Sequence, residues 1–262
     1  ISKEQEEELY RAYLNMAPSQ TLHWMEKRKG PGAEDVEIEG TEPYIVGGHT
    51  ASGYWVDCSR QTTIHGLYAA GDVAGGCPQK YVSGALAEGG IAAKAALSYI
   101  RDRELMSVSV SEIKRKEQEY LSFFHNDRCI FTTDQVEEAM QKVMDQYAGG
   151  ISSDYQFNQN QLRIAEEKIK LLFDISKKLN ANDMDDLMKI YEVRERLEVC
   201  QTLIAHLRAR KETRWHCFCE NMDYPKQSDA WNLYVNSRME NGKLQIIYRE
   251  LVAGGERYEH SN

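Results

Sequence analysis

The sequence predicts a short α/β segment, then a helical bundle, then a C-terminal β-hairpin. Three observations carry this. The first hundred residues mix alternating β-branched and aromatic stretches with glycine turns and one helix of small residues. From about Ser111 the composition shifts to long charged helices with apolar stripes at helical spacing. The tail returns to alternation around Asn241-Gly242, a strong two-residue hairpin signal.

Taken in order, residues 3–15 read as a helix with Leu9, Tyr10, Tyr13 and Leu14 on one face. Residues 30–35, GPGAED, read as a loop. Residues 36–57 alternate and are rich in strand formers, broken at Gly47-Gly48. A short strand is expected over 66–70, ending at Gly71-Asp72. After Pro78, small residues recur at helical spacing: Gly84, Ala85, Ala87, Gly89, Ala92 and Ala93. So thin a helix admits a neighbouring backbone or a flat ligand, and its three glycines cost about 1 kcal/mol each relative to alanine. Tight helix–sheet packing and a ligand at the helix start both explain it.

Four helices follow, over 111–124, 134–147, 158–179 and 184–210, with Asp134 and Asn182 as expected caps. Ile169, Leu172, Phe173, Ile175 and Leu179 form one stripe. Leu187, Ile190, Tyr191, Val193, Leu197, Ile204 and Leu207 form a second. Such stripes are expected to be the core of a bundle, with a partner surface as the competing reading. The implied segments are 1–45, 46–105, 106–215 and 216–262.

The bulk numbers narrow the function. The chain has 262 residues and a formal net charge of −9, which argues against a general nucleic-acid binder. No 18-residue apolar run is present, so no membrane span is expected. Cysteines stand at 58, 77, 129, 200, 217 and 219; a lone C-x-C without further ligands does not make a zinc site. They read as reduced thiols of a cytoplasmic protein, with no metal.

The stretch "GLYAAGDVAGG", Gly66 to Gly76, carries the chemistry. A strand ending in Gly-Asp, with Gly-Gly and a small-residue helix after it, suits a flat, polyhydroxylated ligand. Glycine allows close backbone approach, the carboxylate accepts from sugar or ribityl hydroxyls, and a helix start offers unpaired N–H groups.

The wording "T-x-x-GLYAAGD-x-AGG" resembles the second flavin-binding segment of the fumarate reductase/succinate dehydrogenase flavoprotein family. Four further stretches resemble one branch of it, the adenylylsulfate reductase alpha subunits: "GGHTASGYWVD", "AAGDVAGGCPQKYVSGALAEGGIAAKAA", "ETRWHCFCENMDYP" and "YVNSRMENGKLQIIYREL". The resemblance covers nearly the whole chain. It identifies residues 1–45 as the end of a capping domain and 46–105 as the last segment of a FAD-binding domain. The fold class is then an α/β remnant of a FAD-binding domain followed by a helical-bundle domain and a C-terminal hairpin.

The resemblance implies FAD as cofactor. It also implies reversible reduction of adenosine 5′-phosphosulfate (APS) to AMP and sulfite through a flavin N5–sulfite adduct. An iron–sulfur beta subunit would be the electron partner. Asp72 would bind the ribityl chain. Gly71, Ser83, Gly84, Ala85 and Leu86 would line the cofactor, with Leu86 also near substrate. His49 would act in catalysis, as a donor to sulfate oxygens or a balance for charge on the reduced ring. Lys80 would contact substrate or the flavin carbonyl edge, with a plain surface lysine as the other reading; it stands where dicarboxylate-reducing members carry arginine, which argues against a fumarate reductase or aspartate oxidase activity. Arg214 and Trp215 are expected at an inter-domain contact first and in catalysis second. Cys217 and Cys219 are not cluster ligands on this reading, and His65 reads as a surface turn. A non-enzymatic helical docking module is the other alternative.

The chain opens on Ile1 inside a helical pattern, and no G-x-G-x-x-G follows a strand. The expectation is a piece of a longer subunit, whose missing N-terminal part holds the pyrophosphate. Alone, such a piece would bind FAD weakly or not at all.

Overall fold

The computed structural model describes residues 2–16, 18–33, 52–76, 82–101, 103–104, 107–125, 130–214 and 219–251. It divides into two units, Ile1–Tyr44 and Ile45–Asn262.

In the first unit, α1 (Lys3–Met16) and α2 (Pro18–Lys27) pack together. Ser2 and Gln5 cap α1 reciprocally: the Gln5 amide donates to Ser2 Oγ at 3.1 Å and the Ser2 amide donates to Gln5 Oε1 at 2.9 Å. Trp24 of α2 is buried against Tyr10 and Tyr13, two of the four residues expected on one face of α1. The ring centroids lie 5.4 and 5.0 Å away in tilted contacts.

The second unit contains α3 (Val82–Ile100), α4 (Val110–Leu121), α5 (Thr133–Tyr147), α6 (Gln159–Ser176) and α7 (Met184–Ala209). Helices α5, α6 and α7 pack pairwise around one core. Leu162, Ile169, Ile190, Leu197 and Ile204 are fully buried there, each worth about 1.5–3 kcal/mol relative to exposure. Every residue of the two predicted apolar stripes lies in this core or against it. Helix α4 buries none of its own residues. It attaches through Tyr120, whose ring meets Tyr191 of α7 edge-on at 5.2 Å.

Two expected caps are wrong. Thr132, not Asp134, caps α5: its hydroxyl accepts from the Gln135 amide while Gln135 reaches back to the Thr132 amide. Asp134 sits inside the first turn, where a carboxylate only complements the dipole. Asp183, not Asn182, caps α7 by accepting from the Asp186 amide at 2.9 Å. Asn182 instead donates its side-chain amide to Asp186 Oδ2. Helix α6 starts on a third reciprocal cap, Asn158 with Gln161.

After α7 the chain returns to the bundle. β1 (Gln156–Phe157) and β2 (Glu220–Asn221) pair in parallel. β3 (Leu233–Glu240) and β4 (Lys243–Glu250) form the antiparallel hairpin expected around Asn241-Gly242. Both turn residues have positive φ, 52° and 73°, the geometry of a type I′ turn. The hairpin contacts α7, with His206 Nε2 2.9 Å from Ser237 Oγ. Burial, then the nearby Arg210 charge, hold the His206 pKa below its ordinary value. Among the described residues no helix is long and apolar enough to cross a membrane.

Candidate functional site

The GLYAAGD stretch does not form the strand expected over 66–70. It contributes one isolated bridge, Gln61 with Tyr68. Gly66 has a positive φ of 82°, which breaks extension at the start of the segment. Residues 54–76 instead fold back on themselves by short backbone bonds. The Ala69 amide donates to the Arg60 carbonyl at 3.0 Å, and the Thr62 amide donates to the Leu67 carbonyl at 2.8 Å. Tyr54 donates to the Val73 carbonyl at 2.7 Å and accepts from the Gly75 amide at 2.8 Å. Asp57 organises the preceding turn, its Oδ1 accepting from the Ser59 and Gln61 amides. Of the expected strand material over 36–57, residues 36–51 lie outside the described residues, and the rest supplies only bridges at Tyr54 and Val56.

This scaffold presents a single 3₁₀ turn, Gly71–Val73, with Asp72 exposed at its tip. Gly71 is buried and has a φ of 73°. A Cβ there would lie 3.1 Å from the Ala85 Cβ of α3, so the turn rests directly on the first turn of that helix. The Gly71 amide points inward and donates to Glu88 Oε2 at 3.1 Å. Glu88 is 4% exposed and sits one turn along α3 from Ala85, on the same face. Its other oxygen lies 3.2 Å from Arg60 Nε. That pair is electrostatic, since neither atom makes a hydrogen bond in this geometry. Arg60 itself is in the left-handed region, with a φ of 67°.

The structure therefore brings Gly71 and Ala85 into contact and places Asp72 on the exposed rim beside them. Ser83 and Leu86 are exposed and Gly84 is half-buried. Leu86 is 72% exposed and Val82 76%. Val73, Ile64, Leu67, Ile91 and Leu97 are exposed as well. A Cβ at Gly89 or Gly90 would meet nothing within 4 Å, so packing within the described residues does not explain these two small residues of α3. His49 and Lys80 lie outside the described residues, as do Trp215 and Cys217. His65 is exposed.

The residues present fit a flavin nucleotide. The turn tip carries an exposed carboxylate, the helix beside it is narrow, and its first turn carries amides without intrahelical partners. Sequence reading missed Glu88 and Arg60, the pair beneath the turn. The signal was an acid inside an otherwise small, apolar helix face.

Arg214 binds no part of this turn. Its Nε and Nη2 donate to the two oxygens of Glu212 at 2.9 and 3.0 Å, and Nη2 also donates to the Ser228 carbonyl. Arg210 donates to the same Glu212 and to the Trp231 and Leu233 carbonyls. Burial raises the Glu212 pKa, but bonds from Arg214, the Ser228 amide and Arg210 outweigh it and hold the carboxyl below its ordinary value. This cluster ties the end of α7 to the hairpin. The hairpin in turn meets the 52–76 segment through Arg249, whose guanidinium lies 3.7 Å above the Trp55 ring.

No family model matches the chain. Adenylylsulfate reductase subunit alpha of Megalodesulfovibrio gigas is 25% identical over 279 aligned positions, covering 93% of this chain and 42% of that protein. An uncharacterized FAD-dependent oxidoreductase of Methanocaldococcus jannaschii is 26% identical over 72% of this chain and 35% of its own length. The structure of adenylylsulfate reductase from Archaeoglobus fulgidus superposes with a TM-score of 0.76 at 26% identity, over 98% of this chain and 46% of that one. An adenosine-5-phosphosulfate reductase solved as its covalent complex with sulfite gives 0.72 at 25% identity, again over 98% and 46%. Escherichia coli quinol fumarate reductase gives 0.65 at 17% identity over 79% of this chain and 37% of that one, a likeness of fold alone. The chain thus spans about half the length of the relatives it matches. Across 93% of its length the chain is homologous to the alpha subunit of adenylylsulfate reductase, and its fold is the one shared by adenylylsulfate reductase and fumarate reductase flavoproteins.

Proposed function

We propose that this chain forms the C-terminal part of a flavoprotein that interconverts APS with AMP and sulfite. The observation that carries this is the match to adenylylsulfate reductase over 98% of the chain. It works together with an N-terminal part of the kind that its relatives carry, which would hold the pyrophosphate and adenosine of FAD. The lower identity of the fumarate reductase match gives that alternative less support.

In this reading Asp72 accepts hydrogen bonds from the ribityl hydroxyls. Gly71 supplies no ligand amide, because that N–H is already given to Glu88; it lets the turn seat on Ala85. Ser83, Gly84 and Ala85 offer first-turn amides of α3, where partial positive charge suits an electron-rich ring edge. Leu86 and Val82 give the bound ring an apolar flank and exclude water. His49 and Lys80 are proposed to face the anionic phosphosulfate as donors. Bound FAD supplies two-electron chemistry at sulfur. In the reaction the S–O bond breaks, AMP keeps the bridging oxygen, and sulfur leaves as sulfite with two electrons. Those electrons would come from an iron–sulfur partner subunit.

The test is product analysis on the intact natural polypeptide that carries these residues. With APS and a low-potential donor it is expected to release AMP and sulfite in equal amounts. Turnover of fumarate instead, with no AMP released, would move the chain to the dicarboxylate branch.

A further inference from the structure

We infer that Glu88 is the positioning residue of the cofactor turn: it fixes the Gly71–Asp72 peptide against α3 and so sets where the Asp72 carboxylate stands. This rests on the flavoprotein reading proposed above. Glu88 is 4% exposed, a rare place for a carboxylate, since a buried charge is costly unless paired and hydrogen-bonded. It meets both conditions with groups from two separate turns. Oε2 accepts from the Gly71 amide at 3.1 Å, and Oε1 lies 3.2 Å from Arg60 Nε. Arg60 is held in turn by its own Nη1, which donates to the Asp57 carbonyl at 3.4 Å. One side chain therefore joins α3, the 57–62 turn and the Gly71–Val73 turn.

Among the described residues no other side chain takes the Gly71 amide. Without Glu88 that amide would be a buried, unsatisfied donor next to an uncompensated arginine. The turn would then lift from Ala85 or rotate, and Asp72, the next residue, would move with it. Glu88 itself need not touch the cofactor. It acts through Asp72.

Two measurements separate this from general stability. The first is amide exchange at Gly71 in the 262-residue chain, comparing wild type, Glu88→Ala and Glu88→Gln. Losing a buried charged acceptor should speed Gly71 exchange about 10- to 100-fold in Glu88→Ala. Glu88→Gln keeps an acceptor oxygen for the amide, and Arg60 is partly exposed, so Glu88→Gln should restore most of the protection. The helical bundle, which Glu88 does not enter, should melt unchanged in both variants. The second is FAD affinity and the visible circular dichroism of bound flavin in the intact polypeptide. Glu88→Ala should weaken FAD about 10- to 100-fold and change the dichroism, with Glu88→Gln close to wild type. Wild-type exchange, affinity and dichroism in Glu88→Ala would overturn the assignment. So would equal losses in both variants, since that would make net charge, not the amide bond, the working feature. If the wild type takes up no FAD, the flavoprotein reading fails, while Gly71 exchange still decides whether Glu88 holds the turn.

Discussion

Gly71→Ala should loosen the Asp72 turn by two separable effects. The first is backbone strain. Gly71 has a φ of 73°, and a left-handed conformation costs an L-residue roughly 1–2 kcal/mol. The second is crowding. The new Cβ would stand 3.1 Å from the Ala85 Cβ, closer than ordinary contact, and overpacking of this kind costs about 1–3 kcal/mol. Gly76 isolates the first effect, because it has nearly the same φ, 72°, with nothing within 4 Å of its would-be Cβ. Amide exchange across residues 66–76, measured by mass spectrometry, reads both as opening free energies. Gly76→Ala should speed exchange about 5- to 30-fold, and Gly71→Ala about tenfold more than that, at 1.4 kcal/mol per decade. Gly71→Ala with Ala85→Gly should recover the excess, apart from the helix cost of the added glycine of about 1 kcal/mol. Equal effects of Gly71→Ala and Gly76→Ala, with no rescue by Ala85→Gly, would refute the claim that the turn is seated on α3.

Other parts of the molecule give further expectations. Glu212→Ala leaves Arg210 and Arg214 facing each other; the expected loss in urea unfolding is about 2–4 kcal/mol, at or below the usual range for broken buried pairs because both arginines are a third exposed. Because the Glu212 carboxyl is held low, its stabilisation is fully present above the ordinary value of 4.5 and is lost as pH falls below it through the folded-state value. The gap between wild type and Glu212→Gln should therefore close on acidification, and a gap that widens would be wrong for this account. The Cys200 thiol, pushed up to about 11 by burial, should alkylate at neutral pH about 100-fold more slowly than a peptide cysteine. Labelling of Cys200 at the peptide rate would contradict its burial. Arg249→Ala should release the hairpin from Trp55 at a cost of about 1–2 kcal/mol, seen as faster exchange over β3 and β4. Unchanged exchange there would show that the contact holds nothing.

The bundle was the most legible part, because burial of a helix writes its own period. Ile169, Ile190, Val193 and Leu197 were placed inside from spacing alone, and all are buried. Asn241-Gly242 was legible for a different reason: few other pairs tolerate positive φ twice in succession. The caps were misread because an acid near a helix start is common, whereas the capping residue is set by where the chain turns extended, at Thr132 and Asp183. The 66–70 strand was misread because strand-forming residues make a strand only beside a partner strand. Among the described residues that stretch finds one bridge, at Tyr68. Gly71 and Ala85, both singled out from the wording, lie in contact, with Asp72 exposed beside them. Glu88 and Arg60 were not legible, since their roles depend on two turns meeting one helix face, a contact with no local pattern. Arg214 carried a two-way expectation, and its bonds to Glu212 and Ser228 favour the structural one.

On the function proposed above, Asp72 and α3 help hold a flavin that exchanges electrons with APS. The most direct measurement is rapid mixing of the reduced intact polypeptide with APS, following flavin absorbance and AMP release together. One flavin per polypeptide is expected, reoxidised by APS with one AMP released, together with tenfold or greater weakening of flavin binding in Asp72→Ala, the scale for losing a charged hydrogen-bond acceptor of about 1.5–3 kcal/mol. A flavin that APS leaves reduced while fumarate reoxidises it, or an Asp72→Ala variant that holds flavin as tightly as wild type, would contradict it.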